Sequence, residues 1–429
     1  MQPAATPAHI RSYYLDTAIG LVDRPPLGES IDCDVCVIGA GFTGLSAALH
    51  LAERGFSVVV LEAQRVAWGA SGRNGGQLNT GLRKGPADLV AAYGRDWAKR
   101  LFDMAEEAKA LVHERIARHD IPCDLRPGVL LAALKPRDLG WMREEVELAR
   151  TEFGYDELTL LDRDGTRAEV ASDRYCAGIM DRGAAHLHPL NYALGLARAA
   201  EAAGARIFEG SPALRMEPGA APVFVTPNGR VKARFAIFAG NAYLGRLAPA
   251  IAGAIMPINN YIIATEPLGD VRAGALIPND VAVHDTKFVV DYYRLSADRR
   301  LLFGGGETYS RHDPRDIAGF VRRYMLRVFP QLADVRIDYA WGGQLAITLS
   351  RLPHLGRLEP NVYFAHGFSG QGLALTGLAG KLMAEAVAGQ AERFDVFAAI
   401  AHRGFPGGVL LRRPAQLLGM FYYSLRDRL

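Results

Sequence analysis

Val35-Cys-Val-Ile38-Gly39-Ala-Gly41-Phe-Thr-Gly44 reads as an apolar strand that runs into a glycine-rich turn. Behind it, Leu45 to Arg54 has the composition of a helix. Val58-Val-Val-Leu61 is then a second apolar run, ending in Glu62. Strand, glycine turn, helix, strand and terminal acid is the order that holds an adenine dinucleotide. Gly39 permits the tight turn, Gly41 lets the backbone approach a pyrophosphate, and Gly44 lets the helix pack close to the strand. Phe42 and Thr43 lie in that turn, just before a helix whose free N–H groups and partial positive charge face the phosphates. Glu62, with Ala63 after it, falls where a carboxylate takes both ribose hydroxyls. A glycine triplet alone is common; with both strands and the acid in register, the stretch predicts a dinucleotide site.

The rest of the composition frames that site. With 429 residues, 49% of them apolar and 22% charged, the chain is long enough for two domains with separate cores. The net charge is +3 and no Lys/Arg cluster alternates with aromatics, which argues against nucleic acid as a partner. Met1 to Ile10 has no apolar core behind a basic flank, so no signal peptide is expected. No apolar run reaches the length of a membrane span, about 18 residues. Four cysteines suit a reducing cytoplasm, the expected location, better than a disulfide scaffold. Cys33 and Cys36 make a Cys-x-x-Cys, but at the start of a strand, where residues three apart face opposite sides. They read as packing residues rather than a redox pair or half a zinc site. No His/Asp/Glu spacing suggests a metal.

Glycine-rich Gly69 to Gly85 separates the nucleotide unit from a long helical pattern, Asp88 to His119. A strand at Gly128 to Leu134, a helix at Arg137 to Glu152 and mixed segments to Met180 follow. Pro189 to Ala203 reads as a helix with Pro in its first turn, leading into a strand at Arg206 to Glu209. Val223 to Thr226 and Lys232 to Ala239 form a hairpin about Asn228-Gly229. Strand-like runs at Tyr261 to Thr265, Phe288 to Leu295 and Leu301 to Gly304 precede a helix at Asp316 to Phe329. Strand Val362 to Ala365 then meets Gly367-Phe-Ser-Gly370-Gln-Gly372 and a helix to Gly389.

Dinucleotide segments at both ends with β-rich insertions between them predict an α/β fold, α+β overall. A Rossmann-like domain is expected from residues 28–86, 188–255 and 341–403. A β-rich substrate domain, with a large antiparallel or mixed sheet and flanking helices, is expected from 87–187 and 256–340. An N-terminal arm, 1–27, and a tail, 404–429, complete the chain. The tail is expected to dock on the body as a helix, with a dimer contact or a membrane-surface face as the alternatives.

Two more glycine segments bear on the cofactor. Ala70-Ser71-Gly-Arg73-Asn74-Gly75-Gly76-Gln77 supplies backbone donors, one guanidinium and little bulk, as suits a loop pressed along a pyrophosphate and a flat ring system. Gly370-Gln371-Gly372 opens the last helix, whose N-terminus carries roughly half a positive charge. Aimed at a flavin's N1 and C2 carbonyl, that charge stabilises the anionic reduced ring. NAD needs no such arrangement, so FAD is the expected cofactor, with Leu214 and Gly240 as further contacts.

At this point the chain resembles the D-amino-acid-oxidase superfamily of FAD enzymes over nearly its whole length. The likeness rests on Ser12-Tyr-Tyr, the Gly39 to Gly44 turn, Gly69 to Gln77, His186-Leu-His-Pro-Leu-Asn191 and Ala239-Gly-Asn-Ala-Tyr-Leu-Gly245. It continues through Ala264-Thr-Glu-Pro-Leu-Gly269, Asp291-Tyr-Tyr-Arg-Leu295, Asp338-Tyr-Ala-Trp341, Thr348-Leu-Ser-Arg-Leu-Pro353, Ala391-Glu-Arg-Phe-Asp395 and Phe405-Pro-Gly-Gly408. The resemblance implies oxidation of a C–N bond in a small-molecule amine, with dioxygen as acceptor and peroxide as product.

Two departures narrow the substrate. Glycine and D-amino-acid oxidases carry Gly-x-Arg-Pro where this chain reads Gly343-Gln-Leu-Ala346, and that Arg holds the substrate's α-carboxylate. Monomeric sarcosine oxidases carry a Lys where this chain has Ala374. With both cations absent, a carboxylate beside the flavin would be buried unpaired. The resemblance therefore implies an amine carbon without an adjacent carboxylate, as in gamma-glutamylputrescine. The alternatives are a secondary amino acid such as L-pipecolate or an N-methyl amino acid, anchored by Arg73 or Arg294; a membrane quinone as acceptor; and a flavin-binding assembly subunit without turnover. Many relatives have His where this chain has Gln371, which cannot change charge near neutral pH. Some relatives bind FAD through a cysteine; here none follows Cys176, so the FAD is expected to be non-covalent.

Tyr261, Tyr292, Arg294 and Trp341 are the candidates for the amine pocket. Arg294 is expected to pair either with the distant glutamyl carboxylate or with an internal acid. Trp341 walls the amine site or packs in the core. His186 and His188 read as structural. No catalytic base is singled out, because burial against the flavin lowers the amine's pKa by desolvation.

Overall fold

A computed structural model describes residues 8–308, 313–406 and 408. Strand Ser30–Ile38 lies at the centre of the first sheet, parallel to Val58–Leu61 on one side and Arg230–Phe238 on the other. Arg206–Phe208 extends it beyond Val58–Leu61, and Val362–His366 beyond Arg230–Phe238, both also parallel. His354–Glu359 closes one edge antiparallel, and the hairpin strands Arg215–Glu217 and Val223–Val225 lean on Arg230–Phe238. Strands buried on both faces in a parallel sheet need continuous apolar runs, and Val35–Ile38 and Val58–Leu61 are buried throughout. Helices Phe42–Ala52, Pro189–Ala202 and Gly372–Val387 cover one face. Gly380 makes their close approach possible: a Cβ there would sit 2.6 Å from the Thr43 carbonyl oxygen.

The second sheet runs in the order Ile337–Ile347, Met256–Thr265, Leu301–Thr308, Tyr292–Leu295, Ala282–Asp285, Arg126–Ala133, Ala177–His186 and Gln77–Leu78, with Leu158–Leu161 also on Ala177–His186. Its pairs are antiparallel except Ala282–Asp285 with Arg126–Ala133. Period-two alternation gives this sheet two faces. Tyr261, Ile263, Tyr293, Leu295 and Phe303 pack with Val321, Met325 and Phe329 of the helix Ile317–Val328 and its exit. Tyr292 and His284 point the opposite way, into the space between the sheets.

Several elements differ from the sequence reading. The long helix divides at Gly94 (φ +78°) into Pro86–Tyr93 and Arg95–Arg118. Only Tyr292–Leu295 of the run from Phe288 is strand, whereas the run from Leu301 continues to Thr308. Strands Ala177–His186, Ile337–Ile347 and His354–Glu359 have no counterpart in that reading. Ile337–Ile347 also runs straight through the expected domain boundary at 340/341, and Gln77–Leu78, expected in the nucleotide domain, joins the second sheet.

Ser12 caps the short helix Tyr13–Asp16 and bolts the arm to the body. Tyr14, fully buried, meets Trp341 and His188 edge-on at 5.3 and 4.9 Å. Cys36 lies in the core beside Phe238 and Phe364, and burial pushes the half-buried Cys33 thiol up to about 12. Most of the tail, 407 and 409–429, lies outside the described residues, so its expected docked helix does too. Among the described residues no helix is long and apolar enough to cross a membrane, and no cluster of three or more His, Cys, Asp or Glu could hold a metal.

Candidate active site

A cavity of about 1050 Å³ opens between the two sheets. That is the upper end of the range for small-molecule sites, roughly 300–1,000 Å³, and leaves room for a large cofactor with a substrate beside it.

At one end the wall is backbone. Gly39 turns at φ +103°, and a Cβ on Gly44 would lie 1.9 Å from the Gly39 carbonyl oxygen, so the helix can pack against this turn only with glycine at position 44. A Cβ on Gly41 would meet the Ser71 hydroxyl at 2.9 Å; that hydroxyl accepts the Phe42 N–H at 3.0 Å. Gly39, Gly41, Phe42, Thr43, Glu62, Ala63 and Gly240 line the cavity, whereas Gly44 supports the turn from behind. Glu62 accepts the N–H groups of Ala40 (2.7 Å) and Gln64 (2.9 Å); burial raises its pKa and these donors oppose the rise. Leu214 is 61% exposed and off the cavity, which Pro212 and Ala213 line instead, because its N–H is spent on the hairpin partner Val225.

The loop from Ala70 is held in shape by Asn74. Its amide donates to the carbonyls of Ala70 and Ser71 and accepts the Gly76 N–H at 2.8 Å. Ala70, Ser71, Arg73, Asn74, Gly75 and Gln77 line the cavity; Gly76 (φ +75°) is turned away, against the Leu187 carbonyl. Arg73 stacks 4.0 Å over Trp68 and reaches the Gly342 carbonyl at 3.4 Å, while its Nε and Nη2 are buried without a hydrogen-bond partner. Two orphaned cationic donors on a cavity wall call for an anion. Across the cavity, Gly370 (φ +91°) and Gln371 lead into the helix Gly372–Val387, and Gln371 ties that turn to the carbonyls of Thr80 and Gly81. The glycine cradle, the orphaned guanidinium and the helix N-terminus fit a dinucleotide that carries a ring system.

The four pocket candidates part company. Tyr292 lines the cavity, sets one edge of its ring against Gly75 and donates its hydroxyl to the Asn260 side-chain oxygen. Tyr261 faces the other side of the sheet, its hydroxyl donating to Asp313 at 2.9 Å. Trp341 is 2% exposed, off the cavity, and its indole N–H donates to the Arg73 carbonyl at 3.1 Å; it packs behind the loop. Arg294 holds neither a cavity group nor an internal acid. It donates to the carbonyls of Gly75 (2.8 Å), Leu187 (2.9 Å) and Leu295 (3.1 Å), and so ties the loop to the sheet. His188 accepts the Asn191 N–H at Nδ1, which leaves its Nε2–H to donate to Thr17. His186 Nε2 meets the Asp280 carbonyl at 2.6 Å, and burial lowers both imidazoles to about 3.

Sequence reasoning missed the polar side chains that complete the chamber: Asn260, His284, Lys287, Gln344 and Asp181. Lys287 is occupied, paired with the buried Asp291 and 3.4 Å from Asp285. Burial and the neighbouring Asp291 raise Asp285 to about 7. Strand alternation from Tyr292 would have found His284 only once the register was known. Leu345, at the slot of the carboxylate-binding Arg, lines the cavity, and Ala374 is buried in the helix Gly372–Val387.

Fold and site together define a flavin-dependent oxidoreductase. The chain belongs to the DAO family of FAD dependent oxidoreductases, whose sequence pattern matches residues 34–386. It is 46% identical over 98% of its length to gamma-glutamylputrescine oxidoreductase of Escherichia coli K12, covering 99% of that protein. It is 42% identical to the probable oxidoreductase OrdL of Haemophilus influenzae, covering 98% of each chain. Among solved structures, glycine oxidase from Geobacillus kaustophilus shares the fold with a TM-score of 0.73 at 20% identity, over 87% of this chain and 100% of the other.

Proposed function

We propose that this enzyme oxidises a primary amine whose reacting carbon bears no carboxylate, gamma-glutamylputrescine above others. Amine, dioxygen and water become aldehyde, ammonia and hydrogen peroxide. FAD, when bound, supplies the two-electron acceptor for the C–N bond. Arg73, Glu62 and the backbone of Gly39 to Thr43 hold it without a covalent bond, and no cysteine lines the cavity.

The observation that carries the reading is Leu345. An apolar side chain lines the cavity at the slot where a carboxylate would need its cation, and Lys287 nearby is already paired with acids. The relative named for gamma-glutamylputrescine, at 46% identity, supports the same substrate. Tyr292 and Asn260 would orient the amine. A primary amine with pKa near 10 costs roughly 4 kcal/mol to be neutral at pH 7; the apolar wall of Leu345, Ile347 and Phe368 lowers that cost by desolvation. A reducing cytoplasm suits four thiols, none of which is paired.

Peroxide release and anaerobic flavin bleaching with gamma-glutamylputrescine, putrescine, L-pipecolate and sarcosine test this. Gamma-glutamylputrescine is expected to bleach fastest. Turnover of pipecolate alone would overturn the proposal and make Arg73 the carboxylate anchor. Bleaching without reoxidation in air would move the acceptor to a quinone.

A further inference from the structure

Asp181 is 8% exposed, lines the cavity and has no ion-pair partner among the described residues. Its Oδ1 accepts the Tyr155 hydroxyl at 2.6 Å and the N–H groups of Gly183 and Ala184, each at 3.1 Å. None of these bonds falls on Oδ2, the edge left to the cavity. Lys109 is one hydrogen bond removed, on the Tyr155 hydroxyl at 3.0 Å, and its charge is met by Glu106 at 2.7 Å. A carboxylate this deeply buried without a cation is costly unless a ligand supplies one.

Sheet register measures where that cation would sit. Tyr292 pairs with His284, His284 with Leu131, and Leu131 with Ile179, and all four line the cavity. Asp181 is two residues beyond Ile179, on the same face. Three strand spacings of about 4.8 Å and a two-residue offset along the strand put it roughly 16 Å from Tyr292, backbone to backbone. Gamma-glutamylputrescine, fully extended, spans roughly 12 Å between its reacting nitrogen and its α-ammonium, from standard bond lengths.

We propose that Asp181 binds the non-reacting ammonium of the substrate, at the end of the chamber away from the oxidised carbon, and thereby selects amines that carry a second positive charge at that distance. Tyr155 is a positioning residue that fixes Oδ1 and so turns Oδ2 inward. Arg83 and Lys84 line the same chamber.

This inference rests on the substrate reading above, and the test separates the two. Gamma-glutamylbutylamide keeps the α-ammonium and has no oxidisable amine, so its binding to the FAD-loaded enzyme, followed by calorimetry, is independent of turnover. Acetylating its α-amine is expected to weaken binding to the wild type at least tenfold. Asp181→Asn, which keeps the shape, is expected to weaken the free-amine ligand at least tenfold and to lose most of that effect when the amine is acetylated. In turnover the same variant is expected to raise KM for gamma-glutamylputrescine with little change in kcat. Equal binding of acetylated and free ligand to the wild type would overturn the assignment without any variant. So would an Asp181→Asn penalty of the same size for both ligands. If the binding pattern holds but gamma-glutamylputrescine is not oxidised, the substrate reading fails and the ammonium site stands.

Discussion

At the dinucleotide end of the cavity most of the contact surface is the backbone of one short stretch, Gly39 to Thr43, joined by the Glu62 carboxylate, with Gly39, Gly41 and Gly44 clearing the way. At the amine end they are side chains from distant strands, Tyr292, His284, Asn260 and Asp181, set side by side only by sheet register. The first end is intolerant of added atoms and carries little chemical choice. The second tolerates changes of side chain but changes substrate with them. The difference explains how a family shares a cofactor while its members act on different amines: the loop that binds the constant ligand is local, and the wall that reads the variable one is assembled from afar.

The largest expected effect therefore comes from one carbon at the local end. Gly44→Val drives a branched side chain into the Gly39 carbonyl, where even a Cβ would be 1.9 Å away. Overpacking against fixed backbone is expected to cost ~3 kcal/mol or more, with loss of bound flavin, read from the visible spectrum and the melting temperature. A yellow protein of ordinary stability would break the claim that backbone geometry defines this end.

Arg294 joins the two ends. Removing it strands the carbonyls of Gly75, Leu187 and Leu295 in the interior and frees the ring-side loop from the sheet. Arg294→Ala is expected to cost about 3 kcal/mol, in the range for breaking a buried charged hydrogen-bond network, and to weaken FAD retention. If melting and FAD occupancy stay unchanged while KM alone rises, Arg294 is a substrate anchor after all.

The local end was legible in the sequence because its information is local: glycine spacing, apolar runs and a terminal acid describe the turn without knowledge of the fold. Arg294 was legible as a cation in need of a partner but not in its role. Its partners are carbonyl oxygens, which every residue has, and no residue type advertises them. Tyr261 and Trp341 were placed in the pocket by motif. Tyr261 sits on the far face of its strand, and of the two readings of Trp341 the structure has the core one, behind the loop. Asp181 was invisible because its strand, Ala177–His186, mixes Gly and Ala with two charges and gives no clear alternation.

A third effect, smaller, concerns the seam between arm and body. His188 accepts the Asn191 N–H through Nδ1, so it must be neutral, and burial lowers its pKa to about 3 from 6.5. The folded value lies below the unfolded one, so the unfolded chain takes up the proton first. Stability is full above about 6.5 and falls as pH drops towards 3. At pH 5 the loss from this one residue is about 2 kcal/mol. His188→Asn keeps a cap acceptor that cannot titrate. Urea titrations at pH 7 and pH 5 are expected to show a smaller acid loss in the variant than in the wild type. Equal losses would mean that His188 is already protonated in the folded protein and that the arm is held otherwise.

The smallest effect is the most telling about the assembled end. Tyr292 contributes its ring to the wall against Gly75 and its hydroxyl to Asn260. Tyr292→Phe keeps the ring and removes one hydrogen bond, worth about 1 kcal/mol. Melting is expected to move little, because the ring packing is intact, while kcat/KM for gamma-glutamylputrescine falls five- to tenfold as Asn260 loses the partner that orients it. Asn260→Asp separates the two roles further: a carboxylate there would hold the amine as an ammonium, the wrong protonation state for oxidation, and the pH at which activity rises should shift upward. An unchanged profile in both variants would show that the hydroxyl–amide pair only closes the wall, and that the amine is oriented from the Asp181 end alone.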